Sequence, residues 1–142
     1  MSDAPPDFTF IVQDNEAAAA RAIAAGEFIQ AYLIVHALIE SLLRIFLKVH
    51  EDTTFHALID RYKRFLEEQK YPEPTFVKEL TEFNRRRNRI VHQLWRTGSS
   101  FTNRQAEPAA SAAVMVYGLF IEWLEPFDPT IKAVGFKYDE VV

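Results

Sequence analysis

Apolar residues recur along this chain at the three-and-four spacing of helices that bury one face. The clearest stretch runs from about Glu27 to Val49, where Phe28, Tyr32, Val35, Ile39, Leu42 and Phe46 form one stripe. Before it, Asp14 or Asn15 is placed to cap a helix through NEAAAARAIAA, alanine being the best helix former, and Gly26 marks the break. After it, Thr53 or Thr54 caps a third helix burying Phe55, Leu58, Ile59, Tyr62, Phe65 and Leu66. That helix stops near Tyr71, ahead of Pro72 and Pro74.

Thr75 then caps a fourth helix with Phe76, Leu80, Phe83, Ile90 and Leu94 inward, ending by Gly98. A polar loop from Thr97 to Glu107 leads to Pro108, suited to a helix start, and to a fifth helix through Glu125 that Pro126 and Pro129 terminate. The tail IKAVGFKYDEVV alternates loosely, as a short strand or an irregular cover over the bundle would. The pattern predicts an all-α fold, a compact bundle of four to five helices forming a single domain over 1–142, with 1–13 and 127–142 less regular.

Composition narrows the class. A chain of 142 residues, 49% hydrophobic and 25% charged, suits one globular domain. The absence of cysteine excludes disulfides and thiolate metal sites and makes a reducing cytoplasm the expected location. The opening MSDAPPDF has acids and prolines where a signal peptide has a basic segment and an apolar run, so no export is expected. Two apolar stretches bear comparison with the roughly 20 residues a bilayer demands. Phe28 to Leu47 is interrupted by His36, Glu40 and Arg44 on one helix stripe, and Ala109 to Leu124 is short and contains Ser111 and Glu122. No membrane segment is expected from either.

The net charge of −4 argues against a nucleic-acid grip by the whole surface, because phosphates are held by clustered Lys and Arg. The distribution is uneven, however. Arg85, Arg86, Arg87, Arg89, Arg96 and Arg104 all fall between Phe83 and Ala106, a stretch with no acidic residue.

Within that stretch lies RNRIVH, residues 87 to 92. Arg87 follows Leu80 and Phe83 at helical spacing, which places it on the inward stripe, where an unpaired charge is costly. Asn88 and His92 are one turn apart, so the amide is placed to orient the imidazole. Arg87 is about 140° around the helix from His92. One helix therefore does not converge both on a single atom easily; a long arginine reaching around, or a second copy of the helix across a dimer interface, would bring them together, which points to a composite site. The fifth helix, apolar nearly all round from Ala109 to Leu124, also predicts a homodimer.

These features resemble the HEPN family, four- or five-helix bundles with an Arg-polar-x3-His motif on a late helix. The resemblance covers most of the chain: RNRIVH, the preceding LTEFNRR, the long early helix AYLIVHALIESLLRIFL with its internal Glu40, and the final apolar helix. It implies a metal-independent RNA-cleaving site formed where the motif helices of two subunits meet, with Arg87, Asn88 and His92 as the motif residues. Some members, toxins of nucleotidyltransferase-paired systems, have a tyrosine two residues after the histidine that the partner modifies. Leu94 stands there in this chain, followed by Trp95.

The implied chemistry needs few groups, because RNA carries its own nucleophile in the 2′-hydroxyl. His92 suits the proton transfers, as imidazole titrates near neutral pH. Arg87, always cationic and able to form two parallel hydrogen bonds, suits the anionic phosphorane. Arg85, Arg86, Arg89, Arg96 and Arg104 are secondary phosphate contacts in this reading, or equally a solubilising surface. His36 with Glu40 lacks a third ligand and reads as a helix-surface hydrogen bond, so no metal or other cofactor is implied. His50 and His56 read as solvent-facing, Tyr117 as packing, and Trp95 and Phe101 as candidates for stacking on unpaired bases. The expected partners are RNA, a second copy and, in a toxin or defence system, a cognate antitoxin. The rival reading is a non-catalytic module that uses the same basic patch to hold a nucleotide, an RNA or a protein. A purely structural dimer subunit ranks last.

Overall fold

Asp7 starts the first helix. In the computed structural model, which describes residues 7–137, its carboxylate accepts the Phe10 backbone N–H at 2.9 Å and caps α1, Phe8–Ala24. The start therefore falls well before Asp14 and Asn15, the expected caps, which lie inside the helix. Residues 8–13 are helical because Val12 is buried and Phe8 packs on Phe136, while residues 1–6 lie outside the described residues. Gly26, at φ 73°, makes the left-handed turn that ends this element.

The second helix, α2, spans Phe28–Leu47 and packs against every other helix of the described residues. Its N-terminus has no cap of its own. Asn103, far along the chain, accepts the N–H groups of Phe28 at 2.8 Å and Ile29 at 3.2 Å and donates to the Gly26 carbonyl at 2.8 Å. By length and composition α2 is the one described helix long and apolar enough to cross a membrane, despite the polar stripe of His36, Glu40 and Arg44. In the bundle its Val35, Leu38, Ile39, Leu42 and Leu43 are completely enclosed.

Arg44 ties the following loop down, meeting Glu40 at 3.1 Å and the carbonyls of Glu51 and Thr53 at 3.0 and 2.8 Å. Thr54 then caps α3, Phe55–Glu68, by accepting the Ala57 N–H. Thr75 does not cap the next helix. Its carbonyl accepts the Tyr62 hydroxyl at 2.7 Å, and Phe76 takes the preceding position at φ 69° with its ring against Phe120. Helix α4, Val77–Thr97, follows and ends at Gly98, φ 82°.

The expected polar loop is largely helical, forming α5 over Ser99–Gln105. Sequence patterning did not predict it, because its anchor is the long-range tie of Asn103 to the start of α2. Helix α6, Glu107–Leu124, carries Pro108 in its first turn and buries Tyr117, Phe120, Ile121 and Leu124. Most of its apolar surface is covered within one chain, leaving Met115 and Leu119 exposed. The Tyr117 hydroxyl donates to buried Glu16 at 2.7 Å.

The tail forms no strand among the described residues. It makes the short α7, Thr130–Ala133, and inserts Ile131 and Phe136 fully into the core, with 138–142 outside the described residues. The described chain is thus all-helical with seven helices rather than four or five, α5 and α7 being the short additions.

Candidate functional site

The C-terminal half of α4 carries the motif, and its buried side is not the one that straight helical periodicity suggests. In the first half, Leu80, Phe83 and Asn84 face α2 and α3: the Phe83 ring lies 5.0 Å from that of Tyr32 and 6.2 Å from that of Phe55. In the second half the buried or half-buried side chains are Ile90, Gln93 and Leu94, of which Ile90 and Gln93 turn towards the cleft beside α5 and α6. The Thr102 hydroxyl secures this by meeting the Gln93 carbonyl and the Thr97 hydroxyl. Arg87 falls where one set of neighbours ends and the other begins. It is exposed, which corrects the inward position expected of it.

Arg87 Nη1 donates to Asn88 Oδ1 at 2.9 Å. His92 Nδ1 accepts the Trp95 indole N–H at 3.3 Å, with the two rings nearly perpendicular. The expected Asn88–His92 contact is therefore replaced, since Trp95 sits one turn from His92 and carries a donor while Asn88 is taken by the arginine. Arg87 and His92 lie on different sides of the exposed helix, with their hydrogen bonds going to different partners. Val91 and Trp95 occupy the interval of about 140° between them. Both are bare: Val91 is 46% exposed and Trp95 74%. The Arg96 guanidinium lies 6.0 Å from the Trp95 ring centre.

The other arginines divide into groups. Arg85 and Arg86 share Glu82, at 2.9 and 3.6 Å, so each is partly neutralised. Arg89 and Arg96 meet no carboxylate among the described residues. With Arg85 and His92 they fall within an arc of about 60° on an ideal helix, a basic ridge on the solvent side. Arg104 is exposed on a different helix, α5. Phe101 is also exposed, whereas Tyr117 is wholly buried; His50 and His56 face solvent.

Two features escaped the sequence reading. His36 is not on a helix surface with Glu40, which pairs instead with Arg44. It is buried between α2 and α4, its Nε2 3.0 Å from Asn84 Oδ1 and its ring stacked on Phe83 and close to Phe55. Burial is the main cause that pushes its pKa below 6.5; the nearby Arg87 charge adds to this, while the Asn84 bond and Glu40 oppose it. Its place on the wheel beside Val35 and Ile39 was the available signal. The second feature is a cleft of about 420 Å³ between α4, α5 and the start of α6, which the expected loop concealed.

Among the described residues no three His, Asp or Glu side chains are grouped to hold a metal ion. Set against family models, curated proteins and solved structures, the chain matches none.

Proposed function

We propose that this chain is a HEPN-like, metal-independent endoribonuclease of a toxin or host-defence system, acting in the cytoplasm as a homodimer. The observation that carries the reading is the bare Val91–Trp95 strip with Arg87 on one side and His92 on the other. Pairing that strip with a second copy buries both apolar side chains and brings two arginines and two histidines to one seam, which a single α4 does not do.

At such a seam the 2′-oxygen of RNA bonds to phosphorus while the bond from phosphorus to O5′ breaks. One histidine takes the hydroxyl proton and the other donates a proton to O5′, leaving a 2′,3′-cyclic phosphate and a 5′-hydroxyl. Arg87 stabilises the crowded anion. For His92 to act through Nε2 as base, its proton must sit on Nδ1; to act as acid, both nitrogens carry protons. Either state is incompatible with accepting from Trp95, so the indole must leave Nδ1 before chemistry. Burial of Trp95 against a second copy supplies a reason for it to move.

The separation of Arg87 and His92 within one chain favours a second reading, a non-catalytic HEPN-like module that holds RNA, a nucleotide or a protein on the basic ridge. Incubating purified protein with total and transfer RNA in chelator, then analysing product ends, decides between them. Intact RNA at all enzyme concentrations supports the binding module.

A further inference from the structure

The cleft between α4, α5 and α6 opens beside the basic ridge and has a distinct chemistry. Its volume of about 420 Å³ falls within the range of roughly 300–1,000 Å³ of small-molecule sites. Gln93 of α4 and Gln105 of α5 line it, and neither side-chain amide bonds to another described residue. Each offers donors and an acceptor. Phe101, 46% exposed, adds an aromatic ring to the lining, and Ile90 a buried apolar side chain. Among the described residues no acidic side chain lines the cleft. Of its two arginines, Arg86 is tied to Glu82, which leaves Arg89 as the cation without a carboxylate partner.

An aromatic ring, two open amides and one guanidinium fit a planar hydrogen-bonding ring with a phosphate attached. An aliphatic ligand leaves both amides unsatisfied, and a bare anion leaves Phe101 unused. Arg89 belongs to the cleft and also to the ridge, and it is one helical turn from His92. A phosphate held by Arg89 therefore has its neighbouring phosphodiester within reach of His92.

We infer that this cleft takes one nucleobase together with its phosphate, and that in RNA this is the nucleotide adjacent to the cleaved bond. The base is held between Phe101 and the amides of Gln93 and Gln105, so these side chains set the sequence preference. The second clause rests on the ribonuclease reading; occupation of the cleft does not.

The test uses the full chain with His92→Ala, which keeps RNA intact. Backbone amide shifts of Gln93, Phe101 and Gln105 are followed by NMR as ribonucleoside 3′-monophosphates, short single-stranded RNAs or inorganic phosphate are added. Nucleotides and RNA should shift these amides with a preference among the four bases, and phosphate alone should bind more weakly. Phe101→Ala should weaken nucleotide binding roughly tenfold, as loss of one base stack does. RNA that displaces the mononucleotide identifies the strand as ligand; a mononucleotide that RNA does not displace identifies the free nucleotide and overturns the RNA clause. Shifts confined to other surfaces, equal affinity for inorganic phosphate, or unchanged binding in both Phe101→Ala and Gln105→Ala overturn the site. Failure of the ribonuclease reading looks different: the parent binds a base here but never cuts RNA. If instead the parent cuts RNA and both variants keep its sequence preference, the subsite alone falls.

Discussion

His36 of α2 and Asn84 of α4 meet at 3.0 Å between Nε2 and Oδ1, one turn before the motif arginine. The imidazole is enclosed by Phe83 and Phe55, and Arg87 is close enough for its charge to disfavour protonation. A neutral His36 with its proton on Nε2 donates to the amide oxygen and links the central helix to the functional one. Protonation adds a positive charge in a place that burial and Arg87 both make unfavourable.

A pH dependence of stability follows. The folded value for His36 lies below 6.5, so between the two values the unfolded chain binds the proton more readily than the folded one. The stabilisation from keeping His36 neutral is complete above about pH 6.5 and is lost as pH falls towards the folded value. Urea midpoints measured from pH 8 to pH 5 should therefore fall more for the parent than for His36→Leu. Parallel curves would show that His36 does not titrate in this way.

Much of the helical framework was legible because its signals are local. Thr54 caps α3 through a bond three residues away, and Gly98 ends α4 in the positive-φ conformation that glycine favours. What was not legible depends on distant neighbours. Helix α5 owes its position to Asn103 reaching the start of α2, a contact spanning more than half the chain. Arg87 misled for a related reason: the wheel assigns one inner face to a helix, whereas α4 changes partners along its length. The motif itself stood out in sequence, but the partner of His92 was visible only once the Trp95 indole was placed.

Assembly through α4 is the second prediction. A lysine in a paired apolar strip already flanked by Arg87 of both copies is buried beside like charge, a cost of several kcal/mol, so Val91→Lys should convert a micromolar dimer to monomer in sedimentation equilibrium. Leu119→Asp, on the exposed side of α6, should leave it dimeric. The opposite pattern would put the interface on α6 and remove the shared α4 seam.

Trp95 serves the proposed site in two ways, and two substitutions separate them. Trp95→Phe keeps an aromatic surface but lacks the N–H that engages His92 Nδ1, so the dimer should persist. Cleavage should rise by roughly two- to tenfold, the equivalent of releasing one hydrogen bond worth about 0.5–1.5 kcal/mol. Trp95→Ala should weaken the dimer instead. If Trp95→Phe cleaves more slowly than the parent at saturating dimer, the indole aids His92 rather than restraining it.

The proposed chemistry routes protons through histidine and charge through arginine, so cleavage should continue at an undiminished rate in excess chelator. The products should carry 2′,3′-cyclic phosphate and 5′-hydroxyl ends, read by their resistance to a 3′-end-joining enzyme until the cyclic phosphate is opened and the remaining phosphate removed. Activity abolished by chelator and restored by magnesium or manganese would contradict the mechanism.

The decisive comparison lies within the arginine-rich segment. His92→Ala removes the proton-transfer group and leaves every cation, so RNA cleavage should fall by a factor on the order of 10² to 10⁴ with binding little changed. Arg87→Ala should also abolish most cleavage, and because the side chain is exposed and bonds only to Asn88 Oδ1 among the described residues, the variant should fold as well as the parent. Circular dichroism and sedimentation check that for both proteins. Arg96→Ala and Arg104→Ala should instead weaken RNA binding modestly, by an amount that shrinks as salt rises, without stopping turnover. A folded, dimeric His92→Ala that cuts RNA as fast as the parent would show that His92 is not the catalyst, and would leave the basic ridge as a binding surface alone.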